Sequence, residues 1–116
     1  MIETKNLSKI YNPGKFEVKA VNNISTLFKE GEFTSVVGPS GSGKTTFLNC
    51  VGGLDQPTSG EVIISGENIT KLSGSKIINY RLNNIGFVFQ AYNLIPVLSA
   101  KENIEMIMLL QGVDEN

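Results

Sequence analysis

The chain opens with two segments, residues 1–11 and 16–28, in which β-branched residues alternate irregularly with polar ones. Asn12, Pro13 and Gly14 lie between these segments, and that combination of residue types is a strong turn signal. The pattern predicts an antiparallel hairpin or two neighbouring strands at the start of the chain.

Later apolar runs predict three further strands. Residues 33–37 form a mostly β-rich run that ends at Gly38, as is typical of a strand covered on both faces. Residues 85–90 form a second run apolar enough for a central strand, and residues 61–66 predict a strand that ends at its own glycine. The chain therefore contains more strand-like segments than a single hairpin.

Three segments favour helices. Between residues 44 and 51 the apolar positions recur at helical spacing, and two glycines follow as a stop. Residues 75–82 give a weaker helical pattern, and Ser99 is placed to cap a helix over residues 100–111, with acidic residues near its positive end and Gly112 as its stop. Helices and strands that alternate in this way predict an α/β fold with an antiparallel β element at the front.

Length and charge limit the possible functions. With 116 residues, of which 41% are hydrophobic, the chain can form one compact domain but not two ordinary ones. Ten basic residues against eleven acidic ones give a net charge of −1, so no global positive field gathers nucleic acid. We expect no nucleic-acid partner, and any polyanion must be bound locally.

Histidine and cysteine usage excludes several chemistries. The absence of histidine rules out histidine metal sites, Ser-His-Asp triads and histidine general bases. The one cysteine, Cys50, cannot form an intramolecular disulfide, and its apolar surroundings predict a packing role. The start of the chain has no leader pattern, and the longest apolar run, residues 106–110, is far below the roughly 20 residues of a membrane span. We therefore expect a soluble, cytoplasmic chain.

Residues 38–45, GPSGSGKT, match the phosphate-loop pattern G-x-x-x-x-G-K-[ST] at every fixed position. The loop follows a predicted buried strand and opens a predicted helix, which is the arrangement in which such a loop binds phosphate. A flexible Gly/Ser linker is the alternative, but linkers rarely follow buried strands or run into an apolar helix.

The residue types in this loop are those that triphosphate binding needs. Gly41 and Gly43 let successive backbone N–H groups converge on phosphate oxygens, and the helix that follows points its positive end at the same place. Lys44 can reach the β- and γ-phosphates, the Thr45 hydroxyl can ligate Mg²⁺, and Thr46 can add a hydroxyl near the α-phosphate.

The loop alone does not distinguish a GTPase, a kinase and a transport ATPase. The chain contains neither N-K-x-D nor D-x-x-G, which counts against a GTPase. Residues 38–46, followed by GGLDQPTSG at 52–60 and IGFVFQ at 85–90, resemble the nucleotide-binding subunit of ABC transporters. Residues 90–104 resemble more narrowly the branch that serves lipoprotein release, macrolide export and antimicrobial-peptide resistance. The resemblance covers essentially the whole chain.

This resemblance implies a P-loop NTPase core with an N-terminal antiparallel β element, incomplete at its C-terminal side, and the ligands ATP and Mg²⁺. Tyr11 matches the aromatic residue that stacks on adenine, with Phe16 as an alternative. Gln90 matches the Q-loop glutamine, which couples the metal and the attacking water to the membrane partner. The implied nucleotide-binding residues are Tyr11, Gly38, Ser40, Gly41, Ser42, Gly43, Lys44, Thr45 and Thr46, with Lys44 and Gln90 in catalysis and Thr45 and Gln90 at the metal.

The resemblance also implies partners. These are a transmembrane permease subunit and a second ATP-binding subunit in a head-to-tail dimer, which would place the protein on the cytoplasmic face of the membrane. The apolar residues 92–97 fit either a groove that receives a coupling helix of the permease or a loop packed on its own core.

Several family motifs are missing. The family's domain is about twice as long, and the signature, the apolar strand that ends in Asp-Glu and the switch histidine do not occur. Residues 72–76, LSGSK, begin like the L-S-G-G-Q signature but lack its second glycine and glutamine and precede Gln90, so we predict an ordinary turn. We therefore expect residues 1–116 to be the N-terminal portion of one ATP-binding domain, which binds Mg-ATP weakly and hydrolyses it negligibly. A non-catalytic nucleotide-binding or interaction module, or a small kinase or GTPase, remains an alternative.

Overall fold

The computed structural model of the chain describes residues 1–12, 14 and 16–113. Pro13 of the predicted turn therefore lies outside the described residues. The chain divides into two compact units, residues 1–77 and residues 78–116, and we describe each unit by itself.

The first unit is built on a four-stranded antiparallel sheet. Strand β1 (Ile2–Tyr11) pairs with β2 (Val18–Phe28), which confirms the predicted hairpin. On its other side β1 pairs with β3 (Ser59–Ile64), which in turn pairs with the short β4 (Glu67–Asn68). The order in the sheet is β2-β1-β3-β4, so β1 is held from both sides.

One helix packs on this sheet. Helix α1 (Lys44–Val51) has the predicted bounds and buries Phe47 and Cys50. Phe47 meets Phe28 of β2 with ring centroids 6.5 Å apart, and Leu7 at the centre of β1 is fully buried. The packing role predicted for Cys50 is confirmed, and its burial raises the pKa of the thiol, so it stays protonated.

The rest of the first unit consists of turns and short helical segments. Ser65 and Gly66 have φ angles of 49° and 88° and make the tight turn that ends β3, so the predicted glycine stop is confirmed. A 3-10 helix (Ile69–Lys71) and a turn through Gly74, with φ of 55°, lead into helix α2 (Ser75–Asn84). Residues 72–74 thus form the predicted turn, and Ser75 and Lys76 are the first residues of the helix that follows.

In the second unit, helix α3 (Ala100–Leu110) begins at the predicted cap. The Ser99 hydroxyl accepts from the Glu102 amide, and the Glu102 carboxylate accepts from the Ser99 amide at 2.7 Å. Hydrogen bonds from the side chain and backbone of Ser99 lower the pKa of Glu102. The Asn103 side chain bonds both backbone groups of Ile95, which ties the preceding turn to α3.

Two strand predictions are wrong. Residues 33–37 and 85–90 join no ladder among the described residues. Phe33 is 97% exposed and Val88 is fully exposed, whereas residues of a central strand would be buried. The physical reason is that a central strand needs neighbours for its N–H and C=O groups, and the described strands β1 to β4 pair only with one another. Sequence pattern detects the β propensity of such a run but not the presence of its neighbours.

We predict that Gly60→Ala destabilises the first unit far more than Gly66→Ala. Both glycines have positive φ, 87° and 88°, where alanine costs about 1–2 kcal/mol. A Cβ at Gly60 would also lie 2.4 Å from the Asn6 carbonyl oxygen of β1, whereas nothing lies within 4 Å at Gly66. The free energy of unfolding from urea titration should fall by about 3 kcal/mol or more for Gly60→Ala. Equal losses for the two variants would contradict this.

Candidate functional site

The segment that leads into α1 is a structured loop. Gly41 and Gly43 have φ angles of 76° and 90°, in the left-handed region that favours glycine. The Ser42 amide donates to the Pro39 carbonyl at 3.2 Å, which closes a turn, and the Phe47 amide donates to the Gly43 carbonyl at 2.8 Å, which starts the helix. This geometry does not support the flexible-linker alternative.

The loop lies directly against strand β2. A Cβ built on Gly43 would lie 2.0 Å from the carbonyl oxygen of Ala20 and 3.0 Å from its carbonyl carbon. Only a residue without a side chain allows this close approach. Gly43 therefore fixes the position of the loop relative to the sheet.

The N-terminus of α1 is suited to an anion. Gly43 is its N-cap, and no side chain caps the first turn, which also contains no acidic residue. The first-turn N–H groups and the positive end of the helix dipole are then available to negatively charged oxygens.

Lys44 extends across the loop. Its ammonium group donates to the carbonyl oxygens of Gly38 at 2.8 Å and Pro39 at 2.7 Å, and it lies 3.3 Å from the Ser42 hydroxyl. All three partners are uncharged, so the positive charge of Lys44 is held at the loop without being neutralised by a carboxylate.

A cleft of about 340 Å³ brings most of the predicted nucleotide-binding residues together. Its lining contains Tyr11, three residues of β2 and the end of the phosphate loop. Ser40 and Gly38 lie in the loop but do not line the cleft, and Gly38 contributes through its carbonyl bond to Lys44. Phe16, the alternative to Tyr11, is 80% exposed and does not line it either. The lining residues are Tyr11, Val18, Lys19, Ala20, Gly41, Ser42, Gly43, Lys44, Thr45 and Thr46.

Sequence reasoning missed the contribution of β2 to this cleft. Val18 is the register partner of Tyr11, so the hairpin itself brings Val18, Lys19 and Ala20 beside the tyrosine. The side-chain types of these three residues do not indicate ligand binding. The register of the hairpin, which pairs Val18 with Tyr11, is the signal that would have placed them in the cleft.

Tyr11 is held by two charged residues that the sequence did not single out. Its hydroxyl donates to Asp55 Oδ2 at 2.9 Å, and Lys9 Nζ donates to Asp55 Oδ1 at 2.7 Å. The Lys9 hydrogen bond, together with that of Tyr11, holds the pKa of Asp55 below its ordinary value of 3.8. The Asp55 hydrogen bond raises the pKa of Lys9 above 10.5. Both groups are therefore charged at neutral pH.

The residues present suit Mg²⁺ bound together with phosphate. No group of three or more histidine, cysteine or acidic side chains suited to a metal occurs among the described residues. Mg²⁺ commonly takes only one or two protein ligands besides phosphate oxygens and water. The Thr45 hydroxyl at the cleft is a ligand of the required hard oxygen type.

Gln90 belongs to the second unit. It is exposed and lies in a bend after residues 85–89, not at the end of a paired strand. Its roles at the metal and in catalysis stay predictions.

The same unit contains an apolar groove of about 430 Å³. Leu94, Ile95 and Pro96 line one part of it and Ile104 of α3 another. Neighbouring side chains of residues 92–97 are largely exposed, with Val97 at 89%, which contradicts a loop packed entirely on its own core.

The loop, the helix that follows it and the cleft define a phosphate-loop nucleotide-binding protein. The family model described as "ABC transporter" matches residues 21–116. The chain therefore belongs to the ABC transporter family, as part of an ATP-binding domain. In the part of the chain that the structure describes, no helix is long and apolar enough to cross a bilayer.

Individual relatives agree with this assignment. The chain is 46% identical over 111 residues to the uncharacterized ABC transporter ATP-binding protein MJ0796 of Methanocaldococcus jannaschii, covering 96% of this chain and 47% of that protein. It is 40% identical over 113 residues to the macrolide export ATP-binding/permease protein MacB of Hyphomonas neptunium, covering 97% of this chain and 18% of that protein.

Among solved structures, the dimeric post-hydrolysis state of the ATP-binding cassette MJ0796, bound to ADP and Pi, superimposes with a TM-score of 0.91 at 43% identity. The match covers 100% of this chain and 49% of that chain. The chain thus spans about half the length of MJ0796. The N-terminal antiparallel β element and the partial P-loop NTPase core are confirmed at this level of similarity.

We predict that Gly43→Ala disrupts the site while Gly41→Ala largely preserves it. Both residues have positive φ, but only at Gly43 would a Cβ meet the Ala20 backbone; no heavy atom lies within 4 Å at Gly41. Inorganic tripolyphosphate binding, measured by calorimetry with magnesium present, should fall at least about tenfold for Gly43→Ala and about threefold or less for Gly41→Ala. Similar losses in both variants would argue against the contact with β2 as the constraint.

The ion pair between Lys9 and Asp55 predicts that the free energy of unfolding depends on pH. The Asp55 pKa is lowered on folding, so its contribution is present above pH 3.8 and is lost as pH falls through the folded-state pKa. The Lys9 pKa is raised, so its contribution is present below pH 10.5 and is lost as pH rises through the folded-state value. Asp55→Asn should cost about 1 kcal/mol at pH 7 and less at pH 3 in urea unfolding. A cost that does not change with pH would refute the assignment.

Proposed function

We propose that the chain binds Mg-ATP in the cleft between the phosphate loop and strand β2, as the nucleotide-binding part of an ABC transporter cassette. The observation that carries the proposal is a single cleft that joins the uncapped N-terminus of α1, the Lys44 loop and the aromatic ring of Tyr11. Phosphate, metal and base therefore each have a complementary group within one cavity.

Different residues of the cleft would bind the triphosphate, the metal ion and the base. The N–H groups around Gly41 and Gly43, with the Lys44 ammonium, suit the triphosphate, because they are donors, the first turn of α1 contains no acidic residue, and Lys44 is hydrogen-bonded to uncharged oxygens. The Thr45 hydroxyl would hold Mg²⁺, which would neutralise phosphate charge. Tyr11 offers a flat ring for stacking on adenine, a contact with little base specificity.

The whole protein would couple this site to a membrane partner. MJ0796 is dimeric in its post-hydrolysis state, and MacB is named as an ATP-binding/permease protein. We propose that this protein pairs head to tail with a second ATP-binding domain and lies on the cytoplasmic face of the membrane. It would dock the apolar groove around Ile95 and Ile104 on a permease and drive export or release of a substrate by ATP hydrolysis.

The 116 residues contain some of the motifs that the family uses in ATP hydrolysis, but not all of them. They include the phosphate loop but neither the signature nor an apolar strand that ends in Asp-Glu, and no histidine occurs. We propose that this chain by itself binds Mg-ATP weakly and turns it over negligibly, and that hydrolysis requires a cassette of the relatives' full length.

Lys44→Ala tests the proposal. Removing a charged donor to phosphate should weaken Mg-ATP binding about 10- to 100-fold in calorimetry, because hydrogen bonds to charged groups contribute about 1.5–3 kcal/mol. Lys101→Ala is the matched control, since it removes an exposed lysine whose partner is Glu105 of α3. Equal affinity in the Lys44 and Lys101 variants would refute the proposed site.

The same preparations separate the remaining alternatives. Competition by GTP far stronger than by ATP would favour a GTPase or kinase. Phosphate release by the 116-residue chain that Lys44→Ala abolishes would contradict the expected inactivity of this portion.

A further inference from the structure

Tyr11 lies where β1 ends, directly before the turn to β2. Its single register partner in the sheet at that level is Val18, the first residue of β2. A side chain at a strand end samples several rotamers unless something fixes it, and each ordered rotamer costs conformational entropy. Stacking on a planar ligand therefore depends on what holds this ring.

Two charged residues contact the Tyr11 side chain and restrict its rotamers. Asp55 Oδ2 accepts a hydrogen bond from the Tyr11 hydroxyl at 2.9 Å, and Lys9 Nζ lies 5.2 Å from the ring centroid. That distance is within the range of a cation–π contact. We define Lys9, Tyr11 and Asp55 as the tyrosine clamp.

The clamp is itself anchored at both ends. The Lys9 ammonium also donates to the Gln56 carbonyl at 2.7 Å, and its side chain is only 15% exposed. The amide of Asp55 donates to the carbonyl of Asn49 in the last turn of α1 at 3.1 Å. The Thr58 hydroxyl accepts from the Ile10 amide at 2.9 Å, which joins the following loop to β1.

Helix α1 thus connects the phosphate loop with the backbone of Asp55. Its first residues, Lys44 and Thr45, line the cleft, and its last turn holds the backbone of Asp55. Eight residues of helix span about 12 Å, so one short rigid element links the phosphate loop to the group that fixes the Tyr11 ring. Tyr11 is 39% exposed and lines the cleft.

We propose that Asp55 and Lys9 are positioning residues for the nucleotide base: they hold the Tyr11 ring in the orientation that stacks on adenine, and α1 sets that ring at a fixed distance from the phosphate loop. This inference rests on the proposed binding of Mg-ATP in the cleft. It assigns functions to Lys9 and Asp55, neither of which contacts phosphate in the proposed arrangement.

The test compares two probes, Mg-ATP and magnesium tripolyphosphate, which share phosphates but differ in the base. Tyr11→Phe keeps the ring and removes the hydroxyl bond, while Asp55→Ala removes the shared acceptor. Each variant should weaken Mg-ATP binding about three- to tenfold in calorimetry, the amount expected from one hydrogen bond, and should leave tripolyphosphate binding within about twofold. The double variant should bind Mg-ATP no more weakly than the weaker single variant, because both substitutions break the same link.

Glu61→Ala is the matched control, since it removes the partner of Lys71 in an exposed ion pair of the same unit. It should leave both affinities unchanged. Thermal melting of each variant reports folding, and Tyr11→Phe keeps the test valid if Asp55→Ala does not fold, because the bond between Lys9 and Asp55 remains in it.

The outcomes separate this inference from the function on which it rests. Unchanged Mg-ATP affinity in Tyr11→Phe, with Lys44→Ala still impaired, overturns the clamp alone. Equal weakening of both probes also overturns it, because a general loosening of the site would not distinguish base from phosphate. Binding of neither probe by the unmodified chain overturns the proposed function and the clamp together.

Discussion

The close approach of the Gly43 backbone to the Ala20 carbonyl is the constraint on which the site depends. It sets the phosphate loop against β2 at a distance that no side chain allows. Because β2 is paired with β1, the loop, the start of α1 and the end of the hairpin acquire fixed relative positions. The cleft therefore depends on this contact, together with the packing of Phe47 of α1 on Phe28 of β2.

The two lysines near the cleft, Lys44 and Lys9, differ in how their charge is used. The Lys44 ammonium is held by uncharged oxygens and keeps its charge available to an anion, whereas the Lys9 ammonium is matched by Asp55. One lysine is therefore suited to a ligand and the other to holding the protein together. With a net charge of −1 overall, such local placement is the way in which this chain can bind a polyanion.

The strand predictions show where local pattern is insufficient. β1 and β2 formed as expected, because a hairpin finds its partner a few residues along the chain. Residues 33–37 and 85–90 have equal or greater apolar character, but their backbone groups join no ladder among the described residues. Gln90 consequently follows a segment that joins no ladder rather than a paired strand. The chain spans about half the length of MJ0796, and pairing is a property of strands brought together, not of one run alone.

Residue types at fixed local spacing were sufficient to predict the phosphate loop, the bounds of α1 and the Ser99 cap. The resemblance of the motifs indicated the family and Tyr11. The contribution of Val18 and Ala20 to the cleft, and the contacts of Lys9 and Asp55 with Tyr11, became visible only in the folded chain, since Asp55 lies 44 residues from Tyr11 along the chain. Contacts of that separation arise from strand register and helix packing, and no local pattern encodes them.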